Sequence, residues 1–258
     1  MAIRIQIASD LHIDNNTDWD AYIEKASDIL VLLGDIGNIV LYDRYLEFMT
    51  KLCTNYHKVY LIPGNHEFYT DSSDTSLCYD VIKSQLYRLQ ENIANLTILD
   101  NTFVDLPGNI RLYGSTLWSY IPEDSRVMTL PIRTETGCWA DASWINKQHF
   151  SDVFKIEQAM IQAKQDNKRL LIATHHAPTM LHTLHERHMS DPKRHYYATN
   201  LDRLLLKENV YIWMFGHTHI NCDYLTTSDT RIVSNQYRGE NYKKNKVLVI
   251  KHKIPVFI

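Results

Sequence analysis

Five clusters of side chains able to bind metals or activate water recur along the chain: Asp10 with His12, Asp35 after Gly34, Asn65-His66-Glu67 after Gly64, His175-His176, and His217 with His219 after Gly216. Residues two apart in extended chain point the same way, so the rings of His217 and His219 can face one point. Histidines paired like this suggest a metal. Each cluster taken alone has an ordinary reading. Asp10 or Asn65 could cap a helix or close an Asx-turn, Gly34-Asp35 could be a plain turn, and His175 a hydrogen-bonded loop histidine. Recurrence favours a shared site, because every cluster stands directly after a short apolar run.

Those runs are Ile3 to Ala8, Asp28 to Leu33, Val59 to Ile62, Arg169 to Ala173 and Val210 to Phe215. Short apolar runs closed by turn signals predict buried strands. Between the first three, Trp19 to Ala26 and Leu41 to Cys53 carry apolar residues three and four apart, as amphipathic helices do. Strand, helix, strand, helix, strand implies parallel strands with right-handed crossovers, and ligands of open α/β sheets collect beyond the carboxyl ends of such strands. A longer helix is expected from Thr75 to Asn92. Short strands follow at Leu96 to Leu99, Phe103 to Leu106 and Ile110 to Tyr113, too closely spaced for crossover helices and so paired antiparallel. Ser115 to His149 has no clean period and reads as an irregular insertion near the site. Helical spacing resumes from Asp152 to Gln165 and again, behind an Asn200 cap, through Glu208. Ile220 to Leu225, Arg231 to Ser234 and Val247 to Lys251 read as closing strands of a second sheet.

Composition sets the limits. A length of 258 residues with 45% hydrophobic and 22% charged side chains suits one ordinary α/β domain, and no linker, repeat or low-complexity tract divides residues 1–258. Lysines and arginines number 27 against 30 carboxylates, a net charge of −3, so no whole-domain field recruits nucleic acid or an anionic membrane. Cys53, Cys78, Cys138 and Cys222 form no Cys-x-x-Cys unit, which argues against a zinc ribbon or disulfide framework and fits a reduced, cytoplasmic setting. The opening residues alternate as a strand instead of forming a signal peptide, and no apolar run reaches the ~18 residues of a membrane span.

Asp10-x-His12, Gly34-Asp35-x-x-Asn38, Gly64-Asn65-His66-Glu67, His175 after its strand and Gly216-His217-x-His219 together resemble the full motif set of the calcineurin-like metallophosphoesterase superfamily, especially its small single-domain members often labelled Ser/Thr phosphatases. The resemblance spans nearly the whole chain. It implies a four-layer α-β-β-α sandwich with mixed sheets and a two-metal site. Asp10, His12 and His219 would hold one divalent ion, Asn65, His175 and His217 the other, and Asp35 would bridge them. Oxygen and imidazole donors suit manganese first, then iron, zinc, nickel or magnesium, and suit calcium less. On this pattern a hydroxide shared by ions ~3.5–4 Å apart attacks phosphorus directly. No covalent enzyme intermediate is needed. His66 would protonate the leaving oxygen, with Glu67 or a nearby carboxylate orienting it.

One departure bears on substrate. Protein Ser/Thr phosphatases of the superfamily carry an arginine just after Gly-Asp to grip the phosphoryl group, whereas Gly34-Asp35-Ile36-Gly37-Asn38 has none. Arg133, Arg187, Arg194 and Arg238 are candidates to replace it. His176 to His195 carries His182, His185, His188 and His195 with Arg187, Lys193 and Arg194, a composition suited to a basic lid over phosphate. Asn38, His176, Arg187 and His188 are therefore the expected substrate binders. Trp118, Trp139 and Trp144 are expected in the core. The leading expectation is hydrolysis of a phosphomonoester or phosphodiester of modest size. A nuclease is the first alternative, disfavoured by the missing basic track. A phosphoprotein phosphatase and a catalytically silent interaction module follow, the last disfavoured because every expected ligand is present.

Overall fold

The apolar runs become strands, and mostly in parallel order. The computed structural model describes residues 2–13, 16–70, 74 and 76–251. In chain order it contains β1 (Ala2–Ala8), β2 (Ile29–Leu32), α1 (Tyr42–Cys53), β3 (Lys58–Leu61), α2 (Tyr79–Asn92), β4 (Leu96–Ile98), β5 (Thr102–Leu106), β6 (Ile110–Ser115), β7 (Leu130–Arg133) and β8 (Trp139–Ala140). Then come α3 (Ala142–Gln165), β9 (Arg169–Thr174), β10 (Ile212–Phe215), β11 (Asp223–Leu225), β12 (Arg231–Ser234) and β13 (Val247–Lys251). One sheet has the order β13-β1-β2-β3-β4 and the other β11-β12-β10-β9-β6-β5, with β7 and β8 as a separate hairpin. The inner strands are parallel, and β13, β11 and β5 pair antiparallel at the edges.

Three apolar layers hold these sheets. Leu30, Leu32, Val59 and Leu61 cluster with Phe48 and Leu52 of α1 and with Ile82 and Leu86 of α2. The same sheet turns Ile5, Ile7, Val31, Leu33 and Ile62 toward Leu112, Leu171, Ala173, Met214 and Val233 of the second sheet. The far face of that second sheet, with Leu170, Ile172, Trp213 and Phe215, meets Ile156, Met160 and Ala163 of α3. Helix, sheet, sheet, helix is the α-β-β-α sandwich. Strands buried on both faces explain why the runs were continuous instead of alternating. No helix among the described residues is long and apolar enough to cross a membrane.

Several local expectations are corrected. Trp19 to Ala26 yields only a 3-10 turn at Trp19–Ala21, because Glu24 N–H is taken by the Lys244 carbonyl and Ala26 N–H by the Gln6 side chain. Thr75 lies outside the described residues, and α2 starts at Tyr79. Of the three strands expected to pair antiparallel, β5 and β6 do so, whereas β4 is parallel to β3, with α2 as its crossover. Residues 200–208 give only a 3-10 turn at Asp202–Leu204, whose N-cap is Leu201 and not Asn200; the Asn200 side chain accepts Asp202 N–H just before it, and the turn is not continued, since Lys207 N–H goes to the Ser228 carbonyl. β13 closes the first sheet, not the second: Gln6 and Asn235 side chains hold the Lys244 and Lys243 carbonyls and steer the chain back to β1.

The insertion is the largest correction. Helix α3 begins at Ala142, ten residues earlier than its periodicity suggested, with the Asp141 carboxylate accepting Trp144 N–H as N-cap. Its first turns were hidden because their inward face is polar. Asn146 bonds both the N–H and the carbonyl of Ile121, Asp152 accepts Trp118 N–H, and His149 donates to the Trp118 carbonyl. Trp118 is buried, as expected; Trp139 is exposed on the β7–β8 hairpin with the Arg133 guanidinium 4.4 Å above its ring.

Candidate metal centre

β1, β2, β3, β9 and β10 release their chains at one edge of the two sheets. Past the ends of β1 and β2 the pairing continues for two more residues, Asp10 N–H to the Gly34 carbonyl (3.0 Å) and His12 N–H to the Asp35 carbonyl (3.1 Å). Gly216 N–H to the His175 carbonyl (2.9 Å) does the same beyond β9 and β10. His175 Nδ1–H donates to the Leu33 carbonyl (2.8 Å) and so joins the two sheets. Asp10, His12, Asp35, His217 and His219 all adopt left-handed backbone, with φ from 45° to 70°. Such conformations cost on the order of 1–3 kcal/mol each outside glycine, and they persist only where surrounding structure imposes them.

Glu67 imposes much of it. Its carboxylate is fully buried and accepts the N–H groups of Gly64 (2.6 Å), Asp35 (2.9 Å), Ile36 (2.7 Å) and Gly37 (3.3 Å), as well as the Tyr45 hydroxyl (3.0 Å). It is thus a brace for the Asp35 turn, and the expected role of orienting His66 is corrected. Burial and the neighbouring Asp35 charge push its carboxyl up to about 7. Gly34 and Gly64 leave room for the same corner. A methyl at Gly64 would collide with the Asp35 carboxylate, and one at Gly34 with the His175 ring. Glu67→Gln should cost about 1–3 kcal/mol of stability, since an amide cannot accept from every N–H aimed at it. Urea unfolding measures it, and an unchanged midpoint would remove Glu67 from this role.

Asp35 stands at the centre of the cluster. Its Oδ1 lies 3.2 Å from His175 Nε2, and its Oδ2 lies 3.9 Å from both His12 Nε2 and His66 Nε2. Asp10 Oδ1 is 3.4 Å from His219 Nε2, and the Asp10 carboxylate accepts His217 N–H. Among the described residues three candidate ligand groups result: Asp10, His12 and His219; His12, Asp35 and His66; and Asp35, His175 and His217. Asn65 turns its Oδ1 toward His175 Nε2 (2.9 Å), oriented by its own Nδ2 donating to the Tyr69 hydroxyl (2.7 Å). His217 donates from Nε2 to the Tyr196 carbonyl (3.1 Å), which leaves the lone pair on Nδ1.

The donors fit cations. His12 Nε2 is buried with no hydrogen-bond partner among the described residues, an arrangement that is rare unless something else satisfies the nitrogen. Burial lowers its pKa to about 4, so the lone pair is available. His217 is likewise held neutral by burial, with His176 adding to the effect. His175 differs. Burial opposes its charge, but the Asp35 carboxylate outweighs burial and raises it to about 9. An imidazole ligand must shed that proton. Metal uptake by stripped protein at neutral pH should therefore release about one proton from His175, and the release should fade above pH 9. Calorimetry in buffers of differing ionisation enthalpy reads it; metal uptake without proton release would contradict the pairing of His175 with Asp35.

A family model for calcineurin-like phosphoesterases matches residues 3–221. The chain belongs to that family. A relative, an uncharacterized protein of Acanthamoeba polyphaga mimivirus, is 26% identical over 279 aligned residues that cover 93% of this chain and 92% of the relative. Among solved structures, a phosphopantetheinyl hydrolase from Mycobacterium tuberculosis superposes with a TM-score of 0.64 at 16% identity, over 91% of this chain and 89% of that one. A dimetal phosphatase from Danio rerio superposes with a TM-score of 0.58 at 13% identity, over 97% and 99%. At such identities these two structures show the shared fold. Family membership makes this chain a metal-dependent phosphoric ester hydrolase.

Residues expected to bind substrate in this phosphoesterase are placed unevenly. Asn38 spends its amide on the Tyr69 carbonyl and Val40 N–H, bracing the loop behind His66. His176 is buried beside the candidate ligands, donating to the Thr116 carbonyl with its ring 4.1 Å from that of His217. Arg187 and His188 bond each other (3.1 Å), and the His188 ring packs on Tyr197, whose ring is in turn 5.5 Å from that of His217. His182 packs against Tyr224 and His195 lines a groove beside Tyr120 and Phe150. A surface hollow of about 640 Å³ between Arg169, Tyr211 and Lys207 opens at the amino ends of β9 and β10, opposite the histidines.

Sequence reasoning missed Gln236. Its buried side chain accepts His219 N–H (2.6 Å) and donates to Thr218 Oγ1 (3.2 Å) and the Ile220 carbonyl (2.9 Å), fixing the His217-His219 turn. The signal was present: Asn235-Gln236 follows the short apolar β12 as the other clusters follow their strands.

Proposed function

We propose that the protein hydrolyses a phosphomonoester or phosphodiester of modest size at a two-cation centre, with His66 as proton donor to the leaving group. The observation that supports this most is the shared position of Asp35, which belongs to two adjoining ligand groups while His12 links one of them to Asp10 and His219. Two divalent cations, one with Asp10, His12 and His219, the other with Asn65, His175 and His217, and Asp35 between them, would supply Lewis-acid charge to the phosphoryl oxygens and an acidified water. The chain's own residues do the rest. Leu33 and Tyr196 carbonyls fix the His175 and His217 tautomers, and Glu67 fixes the Asp35 turn. His66 is more open than His12 and His175: its side chain is 41% exposed, as is that of His219, and its ring packs on Tyr69 at 4.3 Å. It can reach an incoming ester. As the P–O bond to the leaving group breaks, the His66 proton passes to the departing oxygen.

The test is chelation followed by addition of Mn²⁺, Fe²⁺, Zn²⁺, Ni²⁺ or Mg²⁺, assayed on p-nitrophenyl phosphate and bis(p-nitrophenyl) phosphate. Activity should vanish with chelator and return as two equivalents are added; recovery complete at one equivalent would sink the two-cation reading. These small esters should be cleaved with weak dependence on ionic strength. Duplex DNA should bind poorly at physiological salt, because a nuclease gripping several phosphates loses affinity steeply as salt rises. Tight binding with a steep salt slope would favour the nuclease.

A further inference from the structure

We propose that Tyr69 is a positioning residue for hydrolysis, its hydroxyl turning the Asn65 amide toward one cation and its ring holding His66 in place as proton donor. This inference rests on the hydrolytic reading above.

An asparagine ligand has a weakness that a carboxylate lacks. The two ends of its amide have the same shape but only the oxygen can meet a cation, so a neighbour must recognise the nitrogen end. The Tyr69 hydroxyl does so, accepting Asn65 Nδ2–H at 2.7 Å while Asn65 Oδ1 points at His175 Nε2, 2.9 Å away. An outer partner of this kind orients the ligand it touches.

The same side chain bounds His66. Among the described residues the His66 ring has ring contacts with His12, edge-on at 4.6 Å, and with Tyr69, tilted by 34° at 4.3 Å. His12 is itself a candidate ligand, which leaves Tyr69 as the wall with no metal to bind. Without it a partly exposed imidazole is free to turn about its side-chain bonds. A proton donor works only within ~3 Å of the oxygen it serves, so such freedom slows the transfer.

Tyr69 can serve both neighbours because its own backbone is fixed. Its N–H donates to the His66 carbonyl (3.3 Å), and its carbonyl accepts the Asn38 side-chain amide (2.9 Å). Thr70 N–H donates to the Pro131 carbonyl of β7 (2.7 Å), and the Tyr69 side chain packs on the apolar layer beneath α1 and α2.

The experiment uses full-length protein with Tyr69→Phe, which removes the hydroxyl and keeps the ring, and Tyr69→Leu, which removes both. Mn²⁺ binding is measured by competition with a chelator, and rates at saturating Mn²⁺ are measured for esters of graded leaving-group pKa. In Tyr69→Phe one of the two cations should bind about 10- to 100-fold more weakly, with melting temperature and leaving-group dependence as in wild type. Tyr69→Leu should share that weakened cation and add a rate loss that grows with leaving-group pKa. Combining it with His66→Gln should then cost little more. Mn²⁺ affinities within twofold of wild type in Tyr69→Phe would overturn the proposal, as would both cations weakening alike, the sign of a general structural role. Loss of one equivalent from Tyr69→Phe at saturating Mn²⁺ would make the hydroxyl a ligand itself and overturn it too, as would an unchanged leaving-group dependence in Tyr69→Leu. If the wild type hydrolysed no ester the functional reading would fail on its own, and the Mn²⁺ competition would still decide the role of the Tyr69 hydroxyl.

Discussion

Asp35→Asn is expected to reduce ester hydrolysis by at least about 10³-fold and to lower the metal content of the purified protein. Losing Lewis-acid stabilisation worth several kcal/mol of barrier gives a factor of that size, at ~1.4 kcal/mol per tenfold. The reason lies in what the carboxylate faces. Asp35 is buried, with one oxygen toward His175 and the other toward His12 and His66, so a single residue serves two ligand groups. Asparagine keeps the shape and one acceptor but removes the charge. It also places an amide N–H₂ where an oxygen should meet a cation. The fold should survive, because the three apolar layers contain none of these side chains. Elemental analysis, circular dichroism and the ester assay on one preparation decide the matter. Wild-type turnover with two retained equivalents of metal would remove Asp35 from the bridging position.

The site was more legible than the fold that carries it. Asp10, His12, Asp35, Asn65, His175, His217 and His219 each follow an apolar strand, and parallel strands released at one edge bring such residues together whatever their separation in sequence. Strand type was readable because burial on both faces makes β2, β3, β9 and β10 continuous apolar runs. Partner choice was not. β13 reads like any closing strand, and what sends it to β1 is a pair of side-chain amides, Gln6 and Asn235, acting on carbonyls across the chain. The start of α3 escaped for a related reason, since Asn146, His149 and Asp152 are polar residues turned inward to hold a loop. Glu67, or a nearby carboxylate, was expected to orient His66, whereas Glu67 has as partners four backbone N–H groups and the Tyr45 hydroxyl, which no side-chain pattern announces.

His66→Gln separates proton donation from metal binding. Geometry alone leaves a rival reading, because His66 shares a potential ligand group with His12 and Asp35, its Nε2 lying 3.9 Å from Asp35 Oδ2. Two features favour the donor role. The side chain is far more exposed than those of His12 and His175, and its ring is sandwiched between Tyr69 and the edge of His12 at 4.3 and 4.6 Å. Its main-chain N–H donates to Asp35 Oδ1 (2.8 Å), which anchors the backbone and leaves the ring to face solvent. General acid catalysis is worth about 10² to 10⁴-fold, roughly 3 to 5 kcal/mol of barrier. An alkyl phosphate, whose alkoxide needs the proton, should lose all of that in His66→Gln. p-Nitrophenyl phosphate, whose phenolate is stable near neutral pH, should lose little. The measurement is the rate for esters of graded leaving-group pKa at saturating metal, with metal content determined alongside. A flat loss across the series would make His66 a phosphate binder, and loss of an ion would make it a ligand; a slope that steepens with leaving-group pKa, with both ions retained, is the signature of the proton donor.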